Sequence, residues 1–235
     1  MAQGKFRHEF KYVSPEYILS GLEKRISSLL EADTHAGENN TYSIRSLYFD
    51  DMYNSCYYEN ENGTDPREKF RIRIYNSSSG RITLELKQKV KGMCMKTSCP
   101  ISIDDTNKII SGGIPDFDSE TPFLLKKLIM EMRSRALKPV VIVSYERVPF
   151  IYRDGNVRIT FDRNIRSSCD FKGFFDPDLS SRPVMETGIN MVEVKYDELL
   201  PGFINESLQT ARLNQTSFSK FYICRKFNRI GDLFR

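Results

Sequence analysis

Only two histidines occur among the 235 residues, His8 and His35, so a catalytic zinc centre built on three histidines is excluded. The five cysteines, Cys56, Cys94, Cys99, Cys169 and Cys224, contain no Cys-x-x-Cys pair. Their odd number and scatter argue against a disulfide framework and for a reducing compartment. A zinc site on Cys94, Cys99 and one histidine would need an unusual spacing. No stretch approaches the roughly 18 apolar residues of a membrane span; the longest candidate, Val140 to Val143, is strand-sized. The N-terminal run Met1 to Glu9 has no apolar signal-peptide core. A G-x-x-x-x-G-K-[ST] phosphate loop is missing, as are internal repeats, low-complexity tracts and linker-like segments. The expectation is a cytoplasmic protein with a single domain over residues 1–235.

What is present is ordinary in the mean. Hydrophobic residues make up 40% and charged residues 28%, which suits a globular chain rather than a disordered one. Lys and Arg exceed Asp and Glu by 35 − 31 = +4, too little to mark a polybasic nucleic-acid binder.

Periodicity predicts a strand over Lys5–Val13, then a helix capped by Ser14 with Pro15 in its first position. That helix would bury Ile18, Leu22, Ile26, Leu29 and Leu30 and run to about residue 32. Strands are predicted at Tyr42–Phe49, Glu68–Asn76, Arg81–Val90 and Thr97–Ser102, with a loop at Asn60–Gly63 and a hairpin turn at Asn76–Gly80. A helix over Pro122–Arg135 would bury Leu124, Leu125, Leu128, Ile129 and Met132 and end before Lys138-Pro139. Further strands follow at Val140–Pro149, Val157–Asn164 and Met191–Tyr196, and helical turns with a basic tail from about Asn205 to Phe227. Helices interrupting a largely antiparallel series give an α+β class with one large sheet or barrel.

Alternate side chains of a strand share a face. Arg71 and Arg73 therefore lie opposite Phe70, Ile72 and Ile74, and Glu85, Lys87 and Lys89 opposite Ile82, Leu84 and Leu86. Arg158, Thr160 and Asp162 align, as do Glu193 with Lys195, Arg7 with Glu9 and Lys11, and Arg147 with Tyr145. For any one strand the simple account is a wet outer face. The same Arg-rich face recurs along the whole series, however, and two amphipathic helices are available to cover the apolar side. With helices outside, the charges line an antiparallel β-barrel tunnel, which needs a polyanion or acidic side chains to balance it. Planar guanidinium forks match phosphate oxygens.

Seven segments carry a resemblance in order along the chain. They are Arg7–Tyr12, Ile44–Asp51, Lys69–Arg73, Leu84–Lys87, Ser144–Arg147, Val192–Tyr196 and Ser217–Phe221. Together they resemble the VTC domain, the polyphosphate polymerase domain of the vacuolar transporter chaperone complex and its bacterial stand-alone relatives. The resemblance implies the triphosphate-tunnel fold shared with the CYTH phosphatases and cyclases. It implies transfer of the ATP γ-phosphate to a growing polyphosphate chain with Mn²⁺ or Mg²⁺. Carried over, Arg71, Arg73, Lys87, Arg147 and Arg158 form the catalytic phosphate wall. Lys11, Lys96, Lys195, Lys220, Ser219 and Tyr145 extend it. Glu193 is the main metal ligand, with Glu9 and Glu85 as outer carboxylates. The loop from Lys91 to Met95 leaves the register of Lys96 open. Two departures stand out: the CYTH signature Glu-x-Glu-x-Lys has Arg7 at its first position here, and Ser217 stands where the family often has Lys.

The loss of one carboxylate disfavours a two-metal hydrolytic site and favours the polymerase branch. A terminal phosphate is already ionised at neutral pH, so phosphoryl transfer to it needs no general base, which agrees with the scarcity of histidine. ATP and polyphosphate or pyrophosphate are the expected partners, without nucleic acid; any membrane role, such as handing product to a membrane partner for export, would need a separate anchor or partner. A tripolyphosphatase or nucleoside triphosphatase of the same fold and a non-catalytic polyphosphate-binding accessory domain are the competing readings. Asp50-Asp51 and Asp104-Asp105 read as turn formers, and Tyr48, Tyr57, Tyr58 and Tyr75 as packing residues rather than base-stacking platforms.

Overall fold

The computed structural model describes residues 5–33, 40–211 and 213–232. The run Met1–Gly4 and His35 lie outside the described residues. In chain order the elements are β1 (His8–Pro15), α1 (Glu16–Ser27), β2 (Glu31–Ala32), β3 (Tyr42–Asp50), α2 (Ser55–Glu61), β4 (Arg67–Tyr75), β5 (Ser78–Val90) and β6 (Met93–Pro100). There follow α3 (Ile103–Ile110), α4 (Phe123–Ser134), β7 (Lys138–Tyr152), β8 (Val157–Ser168), β9 (Arg182–Pro183), β10 (Ile189–Tyr196), α5 (Gly202–Thr210) and α6 (Lys220–Asp232).

Eight strands form one antiparallel path, β1-β10-β8-β7-β3-β4-β5-β6, with β2 and β9 as short additions to β7 and β8. The sheet curls until its two edge strands approach. Arg7, just before β1, exchanges backbone hydrogen bonds of 2.9 and 3.0 Å with Cys94 of β6. That isolated bridge joins the two edges of the curled sheet at one point. The expected antiparallel barrel with external helices is the architecture found.

Alternation decides which way each strand faces. Phe70, Ile72 and Ile74 of β4 and Leu84 and Leu86 of β5 point outward, where Leu124, Leu125, Leu128, Ile129 and Met132 of α4 cover them. This is the helical stripe expected from the sequence. Leu19, Leu22 and Ile26 of α1 and Ile204 and Leu208 of α5 cover the outer face of β8 and β10 through Ile159, Phe161, Val192 and Val194. Apolar burial of this kind contributes roughly 25 cal/mol per Å² and holds the helices on the barrel. α6 packs differently. Its Phe221 and Cys224 cluster with Tyr48, Val141, Val143, Tyr145 and Met191, so the helix fills one end of the barrel.

Local details depart from the sequence reading. Pro15, not Ser14, is the N-cap of α1 and makes no side-chain cap bond. Leu19 replaces Ile18 on the buried face, Leu29 is 45% exposed, and the helix stops at Ser27. The expected β4–β5 hairpin turn is present but takes only two residues, Asn76-Ser77, both at positive φ (51° and 53°), instead of running to Gly80. β6 starts at Met93, earlier than read, because Lys91 and Gly92 make a tight turn at φ 50° and 78°. The Asp65 carboxylate accepts from both their backbone N–H groups at 2.9 and 2.8 Å. That short turn fixes Lys96 directly across from Lys87. The Asn60–Gly63 loop is the end of α2, an unforeseen helix. Asp50 and Asp51 start it by accepting N–H bonds from Cys56, Tyr57 and Ser55 at 2.8–3.1 Å.

Candidate active site

The barrel interior holds a cavity of about 400 Å³. Twelve Lys or Arg side chains line it against three carboxylates, those of Glu9, Glu193 and Asp197. Three more carboxylates, Asp33, Glu85 and Asp162, stand behind that wall and pair with it. The formal balance is 12 − 6 = +6, so the remainder of a chain of net +4 carries 4 − 6 = −2. The modest net charge conceals a cationic interior.

All the expected site residues except Glu85 line this cavity. Arg71 reaches it from β4 and donates to Glu85 at 2.6 Å and to the Tyr48 hydroxyl at 2.8 Å. Arg73, two residues on, donates to the Ser46 hydroxyl and to the Tyr145 hydroxyl, both at 3.2 Å. Across the barrel, Arg147 of β7 grips Asp162 of β8 bidentately at 2.6 and 2.7 Å, and Lys220 at the start of α6 meets the same carboxylate at 2.6 Å. Asp162 is fully buried. Burial pushes its carboxyl up, but Arg147 and Lys220 outweigh this and hold it far below the usual carboxylate range. Arg158 pairs with Asp33 at 2.7 Å and the Tyr42 hydroxyl at 3.0 Å. These partners hold the guanidinium groups in place before any ligand arrives.

The two central glutamates are adjacent. Glu9 on β1 accepts from Lys87 at 2.7 and 2.8 Å and pairs with Lys11 at 3.2 Å and Lys195 at 3.4 Å. Glu193 on β10 pairs with Lys195 at 3.4 Å and Arg147 at 3.5 Å, and its side chain meets that of Glu9. Burial pushes both carboxyls up; Lys87 and Lys11 around Glu9, and Lys195 beside Glu193, pull them below the ordinary range. Among the described residues no point gathers three or more His, Cys, Asp or Glu side chains. Two neighbouring carboxylates fit a hard divalent cation that brings its other oxygen ligands from a phosphate chain. Glu85 does not line the cavity with this pair: its carboxylate is 2% exposed, and its two oxygens hold Arg71 and Lys96 at 2.6 and 2.9 Å. It is a counter-ion beneath the wall.

The segment before α6 delivers Ser219 to the cavity. Thr216 donates its backbone N–H to the Lys11 carbonyl at 2.8 Å, running this stretch alongside β1. Lys11 in turn donates to the Phe218 carbonyl at 2.9 Å. Ser219 then accepts from the Tyr222 N–H at 3.3 Å at the start of α6 and lines the cavity beside Lys220. Ser217 is exposed.

Several site residues escaped the sequence reading. Tyr48 and Tyr75 line the cavity rather than serving only as packing residues, and Arg71 and Arg73 beside Tyr48 help hold its hydroxyl below its usual pKa against the opposing effect of burial. Lys69 continues the alternation of Arg71 and Arg73 and enters the same interior, a signal that periodicity alone contained. Arg7 sits at the cavity mouth, paired with Asp197 at 2.8 Å and donating to the Asn156 carbonyl. No helix among the described residues is long and apolar enough to cross a membrane.

Comparison with solved structures finds the same barrel elsewhere. A candidate adenylate cyclase from Bacillus halodurans matches with a TM-score of 0.53 at 16% identity, over 92% of this chain and 95% of its own. A candidate adenylyl cyclase from Hippeastrum, described as having a dominant triphosphatase activity, matches with a TM-score of 0.54 at 13% identity, over 94% and 95%. At these identities the likeness is one of fold alone. No curated protein matches the chain in sequence. The family profile described as the VTC domain matches residues 6–228, almost the whole described barrel and α6, and the chain therefore belongs to the VTC domain family.

Proposed function

We propose that the protein transfers the γ-phosphate of ATP onto a growing polyphosphate chain inside this barrel. The observation that carries the reading is the charge make-up of the cavity: twelve cations against three carboxylates, two of them the adjacent pair Glu9 and Glu193, with Arg7 at the position that the CYTH signature gives to a glutamate. A hydrolase must position and activate water. A polymerase needs only to hold two phosphate chains end to end.

A terminal oxygen of the acceptor chain attacks the γ-phosphorus of ATP. The bond from that phosphorus to the β–γ bridging oxygen breaks, and ADP departs with the electron pair. The acceptor oxygen is already ionised, so no proton has to be removed. Arg71, Arg73, Arg147 and Arg158, preset by Glu85, Ser46, Tyr145, Asp162 and Asp33, offer planar donors to the non-bridging oxygens. Their charge opposes the repulsion between two approaching polyanions and stabilises the spread charge of a loose transition state. Lys87, Lys11 and Lys220 hold the flanking phosphates. Glu9 and Glu193 would hold a Mg²⁺ or Mn²⁺ ion, which supplies neutralisation of phosphate oxygens when bound. The cationic wall also retains a polyanionic product between additions.

A second reading has a specific support: the Hippeastrum protein of the same fold is described as a triphosphatase. In that reading water replaces the acceptor chain. Purified protein given ATP and Mn²⁺ distinguishes the two. ADP together with long chains resolved by electrophoresis is the expected outcome; ADP with orthophosphate alone refutes polymerisation.

A further inference from the structure

The cavity has a neighbour. A second space of about 560 Å³ opens between β1, α2, β4, β5 and the segment before α6, and Glu9, Lys11, Lys69, Lys87 and Ser219 line both. At this waist Lys87 and Lys11 are committed to Glu9. Lys69 is not committed: among the described residues it has no carboxylate partner. Its ammonium donates to the Ser219 hydroxyl at 3.4 Å and lies 4.9 Å from the centre of the Phe221 ring.

Glu9 at the waist is held by Lys87 and Lys11, and Glu59, Glu61 and Glu68 border the second space without forming an ion pair with Lys69. Lys87 faces it from β5, Lys11 from β1, Cys56 from α2, Ser219 from the segment before α6, Phe221 from α6, and Arg67 from its own strand. Burial, then repulsion from Lys87 and Lys11, lowers the Lys69 ammonium to about 7. An unpaired cation enclosed by two others destabilises the empty protein, so the arrangement is explained by an anion that arrives from outside.

We propose that Lys69, with Ser219, is the subsite for the phosphate beyond the reacting group, where a chain longer than a triphosphate passes from the first cavity into the second. This rests on the polyphosphate reading above and adds to it a residue that selects chain length. A phosphate oxygen at the waist accepts from the ammonium, and Lys69 takes up a proton as the chain enters.

Calorimetric titration with tripolyphosphate and with long-chain polyphosphate tests this without requiring turnover. In Lys69→Met the ratio of long-chain to tripolyphosphate affinity should fall about tenfold, the effect of losing one charge-assisted contact. Lys69→Arg should restore the ratio. Independently of any variant, wild-type protein titrated with long chains at about pH 7.5, in two buffers of different ionisation enthalpy, should take up protons, and Lys69→Arg should take up fewer. An unchanged ratio in folded Lys69→Met, or no proton uptake by the wild type, overturns the subsite. Failure of the wild type to bind either ligand overturns the polyphosphate reading itself.

Discussion

Replacing Asp162 by Asn is the sharpest perturbation of the barrel interior. The side chain keeps its size but loses the charge that holds Arg147 at 2.6 and 2.7 Å and Lys220 at 2.6 Å. Arg147 is left with Glu193 at 3.5 Å, and Lys220 with the face of the Tyr145 ring at 4.8 Å. Removing one member of a buried ionic cluster typically costs about 3–5 kcal/mol. The lower end applies here, because Arg147 keeps a carboxylate and the cavity admits water: about 3 kcal/mol, or about 6–12 °C in melting temperature for a chain of this size. Thermal melts with and without tripolyphosphate read this out. Two cations freed of their counter-ion should make the ligand raise the melting temperature of the variant more than that of the wild type. The pH dependence has a definite sign. Asp162 is held below its unfolded value of about 3.9, so its contribution is present above that pH and fades as pH falls below about 4. The two melting curves should therefore converge on acidification. A folded variant melting within about 1 kcal/mol of the wild type, with the same ligand response, refutes the claim that this cluster presets the wall.

Arg73→Ala should lose turnover and most of the stabilisation by tripolyphosphate, since its guanidinium is directed into the cavity by Ser46 and Tyr145; a melt with added ligand checks it. Glu193→Gln should weaken the Mn²⁺ dependence of ATP consumption while leaving tripolyphosphate binding measurable, and an unaltered metal titration would remove Glu193 from the metal site. The empty protein should gain stability from Lys69 between pH 7 and 9. There the unfolded chain keeps a lysine proton that the folded chain has given up, so stability rises with pH; Lys69→Met should flatten that slope in denaturant titrations.

Much of this interior could be read from the chain because alternation is a strict rule. Phe70, Ile72 and Ile74 had to face one way, so Arg71 and Arg73 had to face the other. The same rule applied to Lys69, but without partners in view nothing distinguished it from a solvated lysine. Glu85 looked like a ligand by type, and only the cross-strand placement of Arg71 and Lys96 makes it a counter-ion. The Asp33–Arg158 contact joins residues far apart in sequence, which no local pattern encodes. α2 and α3 are only 7 and 8 residues long, too short for helical periodicity to emerge, although Ser102 caps α3 by accepting from the Asp105 N–H at 3.0 Å. The role of α6 in filling one end of the barrel was illegible for a similar reason: its Phe221 and Cys224 meet partners on distant strands.

The central claim is that the γ-phosphate goes to a phosphate chain and not to water. The most direct test is to follow γ-labelled ATP with Mn²⁺ and a short polyphosphate acceptor, separating chain-bound label from orthophosphate over one time course. Label should enter chains in step with ADP release, and Arg73→Ala should abolish both. Label recovered wholly as orthophosphate, at the same rate with and without acceptor, would contradict the claim.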